Sequence, residues 1–164
     1  MKAKDLIHWA MTFADEGTRI LVAPMREQPL TQPTSAGGNH PLWVMGHLAY
    51  LEGCLPQVLF GEPNPVEHWE PLFAPGSTPQ TDPAAYPSFD EVHRAYHDLR
   101  KQNLQRLSDL SETELDQPPR QIPPGFEEAM KSVGQTYVLM ALHQMVHYGQ
   151  ITDARRVAGI PPLQ

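Results

Sequence analysis

Apolar side chains recur at helical spacing in four stretches of the chain, and no stretch shows the strict alternation of a half-buried strand. The first stretch predicts a helix from about Asp5 to Val22, with Leu6, Trp9, Ala10, Phe13, Ile20 and Leu21 in helical repeat; Gly17 interrupts it and Pro24 ends it. The second runs from Leu42 to Phe60 through Trp43, Val44, Leu48, Leu51, Leu55, Val58 and Leu59. It is predicted to start at Asn39–Pro41, with Asn39 as N-cap and Pro41 in the first turn, where its missing N–H has no partner to lose. Pro56 predicts a kink or an end. Gly46 and Gly53 each weaken helix propensity by ~1 kcal/mol and read as close-packing positions.

The third stretch opens at Ser88, which with Glu91 makes the capping-box pattern Ser-x-x-Glu, and continues through Phe89, Val92, Tyr96, Leu99, Leu107 and Leu110. Ser111 and Glu114 repeat that pattern and predict a short extra turn. The fourth runs from about Ser132 to Ala158, with helix allowed from Phe126. Gly159 suits the position just past its end, Pro161 forbids continuation, and Arg155 and Arg156 favour the helix dipole in its last turn.

Proline placement supports the same division. Eighteen prolines leave four windows free of proline, 1–23, 42–55, 88–117 and 125–160, and a proline inside a helix costs about 3 kcal/mol. Residues 24–38 hold Pro24, Pro29, Pro33, Gly37 and Gly38 and read as a connector. Residues 61–87 hold seven prolines. That is long for a bundle loop, and long enough to cross a bundle of ~30 Å. Its Trp69, Leu72, Phe73 and Tyr86 are expected to pack over the helices as a lid. The expected fold is all-α: a four-helix bundle, one domain spanning 1–164, with a long crossover between the second and third helices.

Composition narrows the function classes. With 40 % hydrophobic and 19 % charged residues, the chain has the opposite bias to a disordered one. A net charge of −7 without a Lys/Arg cluster makes it a poor binder of nucleic-acid backbone. No run approaches the ~20 apolar residues of a membrane span, and the N-terminal segment has no signal-peptide core. A single cysteine, Cys54, excludes an intramolecular disulfide and a Cys-rich zinc site, and fits a reducing cytoplasm.

The chemistry-bearing residues are histidines. Two pairs have His-x-x-x-His spacing, His93/His97 and His143/His147. Residues four apart on a helix lie one turn along and about 40° around, so both rings of such a pair can face one ion. The first pair sits among Asp90, Glu91, Arg94, Asp98, Arg100 and Lys101 and reads as a solvated flank. The second sits among Val138, Leu139, Met140, Ala141, Leu142, Met145 and Val146. Buried imidazoles need partners, and a metal supplies one partner to both; two separately hydrogen-bonded core histidines are the alternative. His47, in an equally apolar segment, is the best third ligand. Cys54 lies on the same face but ~10.5 Å further along the axis, and Glu52 lies about 140° around. Three histidines leave a coordination position open, as in catalytic and not structural zinc sites. Imidazole also suits nickel, copper and iron. Tyr50 and His40 are candidates for the pocket and its mouth, with core packing and helix initiation as their ordinary roles. The first helix and the 61–87 crossover are expected to shape the pocket.

The segments Trp43-Val44-Met45-Gly46-His47-Leu48-Ala49 and His143-Gln144-Met145-Val146-His147-Tyr148-Gly149-Gln150-Ile151, followed by Arg155-Arg156-Val157-Ala158-Gly159, resemble the DinB-like superfamily over nearly the whole chain. The resemblance implies a four-helix bundle of up-down-down-up topology, often dimeric, and a three-histidine metal site on His47, His143 and His147. It implies activity less sharply: thiol-dependent S-transferase, mycothiol-dependent isomerase or metal-dependent hydrolase. The expectation is therefore a metal-binding protein, with zinc most favoured and nickel next, acting on a small-molecule substrate with or without a low-molecular-weight thiol. A non-catalytic, metal-stabilised bundle is the alternative. A homodimer is expected, and neither nucleic acid nor membrane is expected as a partner.

Overall fold

The ends of the helices follow from their caps. Ser88 Oγ accepts the Glu91 N–H at 3.2 Å and opens the helix Phe89–Asp109; Ser132 Oγ does the same for the Gln135 N–H and opens Val133–Val157. These are α4 and α6 of the computed structural model, which describes residues 2–28, 30–161 and 163. The others are α1 (Ala3–Val22), α2 (Pro41–Phe60), α3 (Glu70–Phe73) and α5 (Glu112–Leu115). Among the described residues the structure is all-helical, with four long helices and two single turns. Pro29, one of the connector prolines, lies outside the described residues.

Several local expectations hold. The predicted extra turn is α5, where Ser111 and Glu114 form a reciprocal capping box. Gly159 has φ +74° just past α6, a conformation that glycine adopts without Cβ strain. Gly46 and Gly53 are close-packing positions. A Cβ on Gly46 would stand 2.1 Å from the Phe73 ring, and one on Gly53 would stand 2.2 Å from Asn64 Oδ1. Trp69, Phe73 and Tyr86 of the crossover are buried against the bundle.

Others are corrected. The N-cap of α2 is His40, not Asn39: His40 Nδ1 accepts the Trp43 N–H at 3.0 Å. Its Nε2–H donates to the Gln80 carbonyl at 2.8 Å, so His40 joins the crossover to the helix start. Gly17 does not interrupt α1. α6 does not extend back to Phe126, because residues 126–131 form turns. In α1 the buried face is Ile7, Met11, Ala14, Thr18, Leu21 and Val22, while Leu6, Trp9, Phe13 and Ile20 point outward at 52–61 % exposure. An apolar stripe specifies a helix, but here it does not specify which side of the helix is covered.

The centre of the bundle is polar. Arg100 on α4, grouped by sequence with solvated neighbours, is only 2 % exposed. Its Nη2 lies 2.8 Å from Glu52 Oε1 on α2 and donates to Gln144 Oε1 on α6 at 2.5 Å. Gln144 Nε2 donates to Thr18 Oγ1 on α1 at 2.9 Å and to the Tyr96 hydroxyl at 2.5 Å. Tyr96 in turn donates to Asp15 Oδ1 at 2.9 Å. One connected network thus touches all four long helices.

Pro56 is absorbed into this network. α2 runs through it to Phe60, although proline has no N–H to give the carbonyl four residues back. That carbonyl belongs to Glu52, and it accepts from Asn103 Nδ2 at 2.9 Å; the same amide donates to Glu52 Oε2 at 2.8 Å.

Removing one member of a buried ion pair leaves an uncompensated charge and costs about 3–5 kcal/mol, whereas replacing both with apolar groups is often neutral. Arg100→Met is therefore expected to lower unfolding stability by about 3–5 kcal/mol in a urea titration. Glu52→Leu/Arg100→Met should recover most of that loss.

Candidate metal centre

Residues 143, 144 and 147 occupy two different faces of α6. Successive residues turn by about 100° and residues four apart by about 40°, so Gln144 enters the core network while His143 and His147 share the neighbouring face. Across from them stands His47, in the middle of α2. His47 Nε2 lies 3.1 Å from His143 Nε2, and His147 Nε2 lies 2.9 Å from it. His47 and His147 are buried and His143 is half-buried. The three offer ligand atoms all within 4.8 Å of one another, and among the described residues they form the one such group of His, Cys, Asp and Glu.

The far ring nitrogens set the tautomers. His47 Nδ1–H donates to the Phe73 carbonyl at 2.7 Å. His147 Nδ1–H donates to Gln150 Oε1 at 2.8 Å, and Asn39 Nδ2 donates to that same oxygen at 3.3 Å. Both rings therefore present an Nε2 lone pair toward His143. Packing fixes the His47 plane further, since Trp43 stacks on it at 4.6 Å and 11° and is itself held by its Nε1–H to Ser77 Oγ at 3.0 Å.

Burial depresses the basicity of all three rings. It pushes His47 down from 6.5 to about 4, opposed by the Phe73 carbonyl and assisted by the neighbouring histidines. His147 is likewise pushed down to about 4, and His143 is lowered by burial alone. At neutral pH the cluster is therefore three neutral imidazoles. A neutral His143 has at most one Nε2–H to give and two facing lone pairs to satisfy. One cation satisfies all three nitrogens at once, so this donor set fits a divalent transition metal.

A cavity of about 740 Å³ opens beside the cluster, with His47, His143 and His147 in its wall. Tyr50 and Cys54 also line it. Burial pushes the Cys54 thiol up to about 11 and the Tyr50 phenol well above its usual range, so neither is a ready base at neutral pH. Glu52 faces the core network and His40 caps α2, so neither joins the cluster. His93 and His97 stay on a half-exposed flank, where His93 stacks on Phe89 at 5.7 Å.

The pocket walls differ from expectation. α1 contributes none of the lining residues and the 61–87 crossover contributes only Pro75; the outer wall comes from 121–130 instead. That segment is held over α2 by Arg120 N–H to the Leu59 carbonyl at 3.2 Å and Gln121 N–H to the Val58 carbonyl at 3.0 Å. Sequence reasoning also missed the supports of the His47 and His147 rings. Gln150, three residues after His147, was findable from helical spacing. The Phe73 carbonyl carried no signal at all.

A family model of the DinB superfamily matches residues 10–151. The chain belongs to the DinB superfamily. The DinB match takes in most of α1, all of α2 and α4 and most of α6, and with them all three clustered histidines. No curated protein matches the chain.

The depressed histidines set the sign of a pH effect on the metal-free protein. The unfolded chain binds protons near pH 6.5 and the folded rings only near 4. Stability is therefore fully present above about pH 6.5 and lost as pH falls from there toward 4. Thermal unfolding of chelated protein should show this drop, and His147→Gln should diminish it.

Proposed function

We propose that this protein is a metal-dependent enzyme of the hydrolase or thiol S-transferase kind. His47, His143 and His147 hold the divalent transition metal, with zinc favoured and nickel next. The observation that carries this reading is the juxtaposition of three neutral, converging imidazoles with a cavity large enough for a small-molecule substrate. An ion serving only to tie α2 to α6 has no use for such a space.

When bound, the ion supplies Lewis-acid activation of a water or thiol nucleophile at neutral pH. The chain's own residues prepare the place. Phe73 and Gln150 accept hydrogen bonds from the Nδ1–H groups of His47 and His147, so these two rings offer their Nε2. Trp43 holds the His47 plane, and the 121–130 segment forms the outer wall of the cavity. The parallel course of α2 and α4 in an up-down-down-up bundle belongs to the same reading, supported by the long crossover between them.

A homodimer is also part of the reading. Leu6, Trp9, Phe13 and Ile20 of α1 and Leu142 and Val146 of the adjacent α6 are exposed. An exposed apolar face of this kind marks an interface, and one patch meeting its own copy closes a two-fold dimer.

Elemental analysis of the purified protein is expected to give about one metal ion per three-histidine site. The metal should be lost in His143→Ala/His147→Ala; unchanged content in that variant would sink the reading. Retention of catalytic turnover after complete chelation would sink the metal dependence of the reaction separately. In sedimentation, the wild type should run as a dimer and Trp9→Glu/Val146→Glu as a folded monomer.

A further inference from the structure

The walls of the cavity carry chemical information beyond the three histidines. Its floor is α2 and α6, with Leu51, Leu55, Leu139 and Met140 among the lining side chains. Its outer wall is the Pro-rich segment that includes Ile122, Pro123 and Phe126. Among the described residues, no Lys, Arg, Asp or Glu lines it. Apart from the histidines and the Trp43 indole N–H, which is taken by Ser77, its polar side-chain groups are the Tyr50 hydroxyl, the Cys54 thiol, the Thr136 hydroxyl and the amides of Gln57 and Gln121. All of these are uncharged at neutral pH, given the raised Tyr50 and Cys54 values. Ile122 and Phe126 stay 37 % and 45 % exposed at this wall, apolar surface that an apolar ligand would cover.

A ligand entering such a space must shed its water. Apolar surface gains about 25 cal/mol per Å² on doing so, whereas a charge without a partner loses several kcal/mol. Only the end of the ligand that reaches the histidines meets a group able to receive charge. A thiol carrying carboxylates along its length finds no cation in the wall to pair with them.

We propose that the cavity takes a substrate that is uncharged and predominantly apolar everywhere except at its reacting group, which it delivers to the three histidines. This inference rests on the metal-centre reading for the position of the reacting group; the apolar character of the remainder rests on the cavity walls alone. The substrate class is thus a neutral lipophilic compound with one polar, hydrolysable or electrophilic end.

The test uses the protein as purified, its metal content measured in the same samples. Fluorescence of the neutral probe N-phenyl-1-naphthylamine reports cavity occupancy. Octanohydroxamic acid and suberic acid monohydroxamate then compete for the probe. The two share a head group and a chain length, and they differ in a methyl against a carboxylate at the far end. The methyl-ended compound is expected to displace the probe at roughly tenfold lower concentration or better. Leu139→Lys, which sets a cation in the wall, should erase or invert that preference while leaving the helical circular dichroism unchanged. Equal displacement by the two compounds overturns the proposal, as does a Leu139→Lys variant that behaves like wild type. Loss of metal with the tail preference intact overturns the metal reading and supports the substrate class. Stoichiometric metal without the preference overturns the substrate class alone.

Discussion

The buried pair between Glu52 on α2 and Arg100 on α4 is the interaction on which the rest of the bundle depends. Two charges taken out of water at the centre of a fold are tolerable only when the surrounding donors and acceptors are all in register. Asn103 meets most of that requirement on one side of the carboxylate, and Gln144, Thr18, Tyr96 and Asp15 do so beyond the guanidinium; Arg100 Nε and Asn103 Oδ1 are the two buried atoms of the network left without a partner. Glu52 shares α2 with His47, and Gln144 precedes His143 on α6. The hydrogen bonds that hold the core together therefore also set how far along their axes α2 and α6 stand opposite each other. The site is positioned by the core network without sharing a residue with it.

The histidine cluster itself is unfavourable to assemble. Three rings give up water, lose basicity and turn lone pairs toward one another. The fold offsets this locally. Gly46 lets Phe73 lie against α2 closer than any side chain there would allow, and the Phe73 carbonyl then accepts a hydrogen bond from His47 Nδ1–H. Asn39, just before the α2 cap, reaches Gln150 on α6, and Gln150 Oε1 accepts a hydrogen bond from His147 Nδ1–H. The orientations of the His47 and His147 rings are thus imposed by neighbours, which would lower the reorganisation needed to bind an ion.

Most of the helical layout was legible in the chain because it rests on local rules. Ser88, Ser111 and Ser132 stand at N-caps because a short side-chain oxygen satisfies an otherwise unpaired N–H within three residues. The pairing of His143 with His147, and the choice of that pair over His93 and His97, came from spacing and from the apolar context of α6. The misreadings share one cause. Leu6, Trp9, Phe13 and Ile20 look like a core stripe and face outward, while Arg100 looks solvated and is buried. Side-chain chemistry states a preference for water or its absence, but coverage is decided by which neighbouring element arrives.

By itself, the sequence determined the number, type and approximate limits of the long helices, the family likeness, and which three histidines had compatible spacing and surroundings. These depend on contacts within a few residues or on composition along one helix face. The tertiary structure decided that α1 turns Leu6, Trp9, Phe13 and Ile20 outward, that a proline inside α2 is tolerated through Asn103, and that residues 121–130 wall the cavity. It also decided which carbonyl and which amide hold the His47 and His147 rings. Each of these depends on groups far apart in the chain whose meeting is set by the packing of all four helices together, and no local pattern encodes that distance.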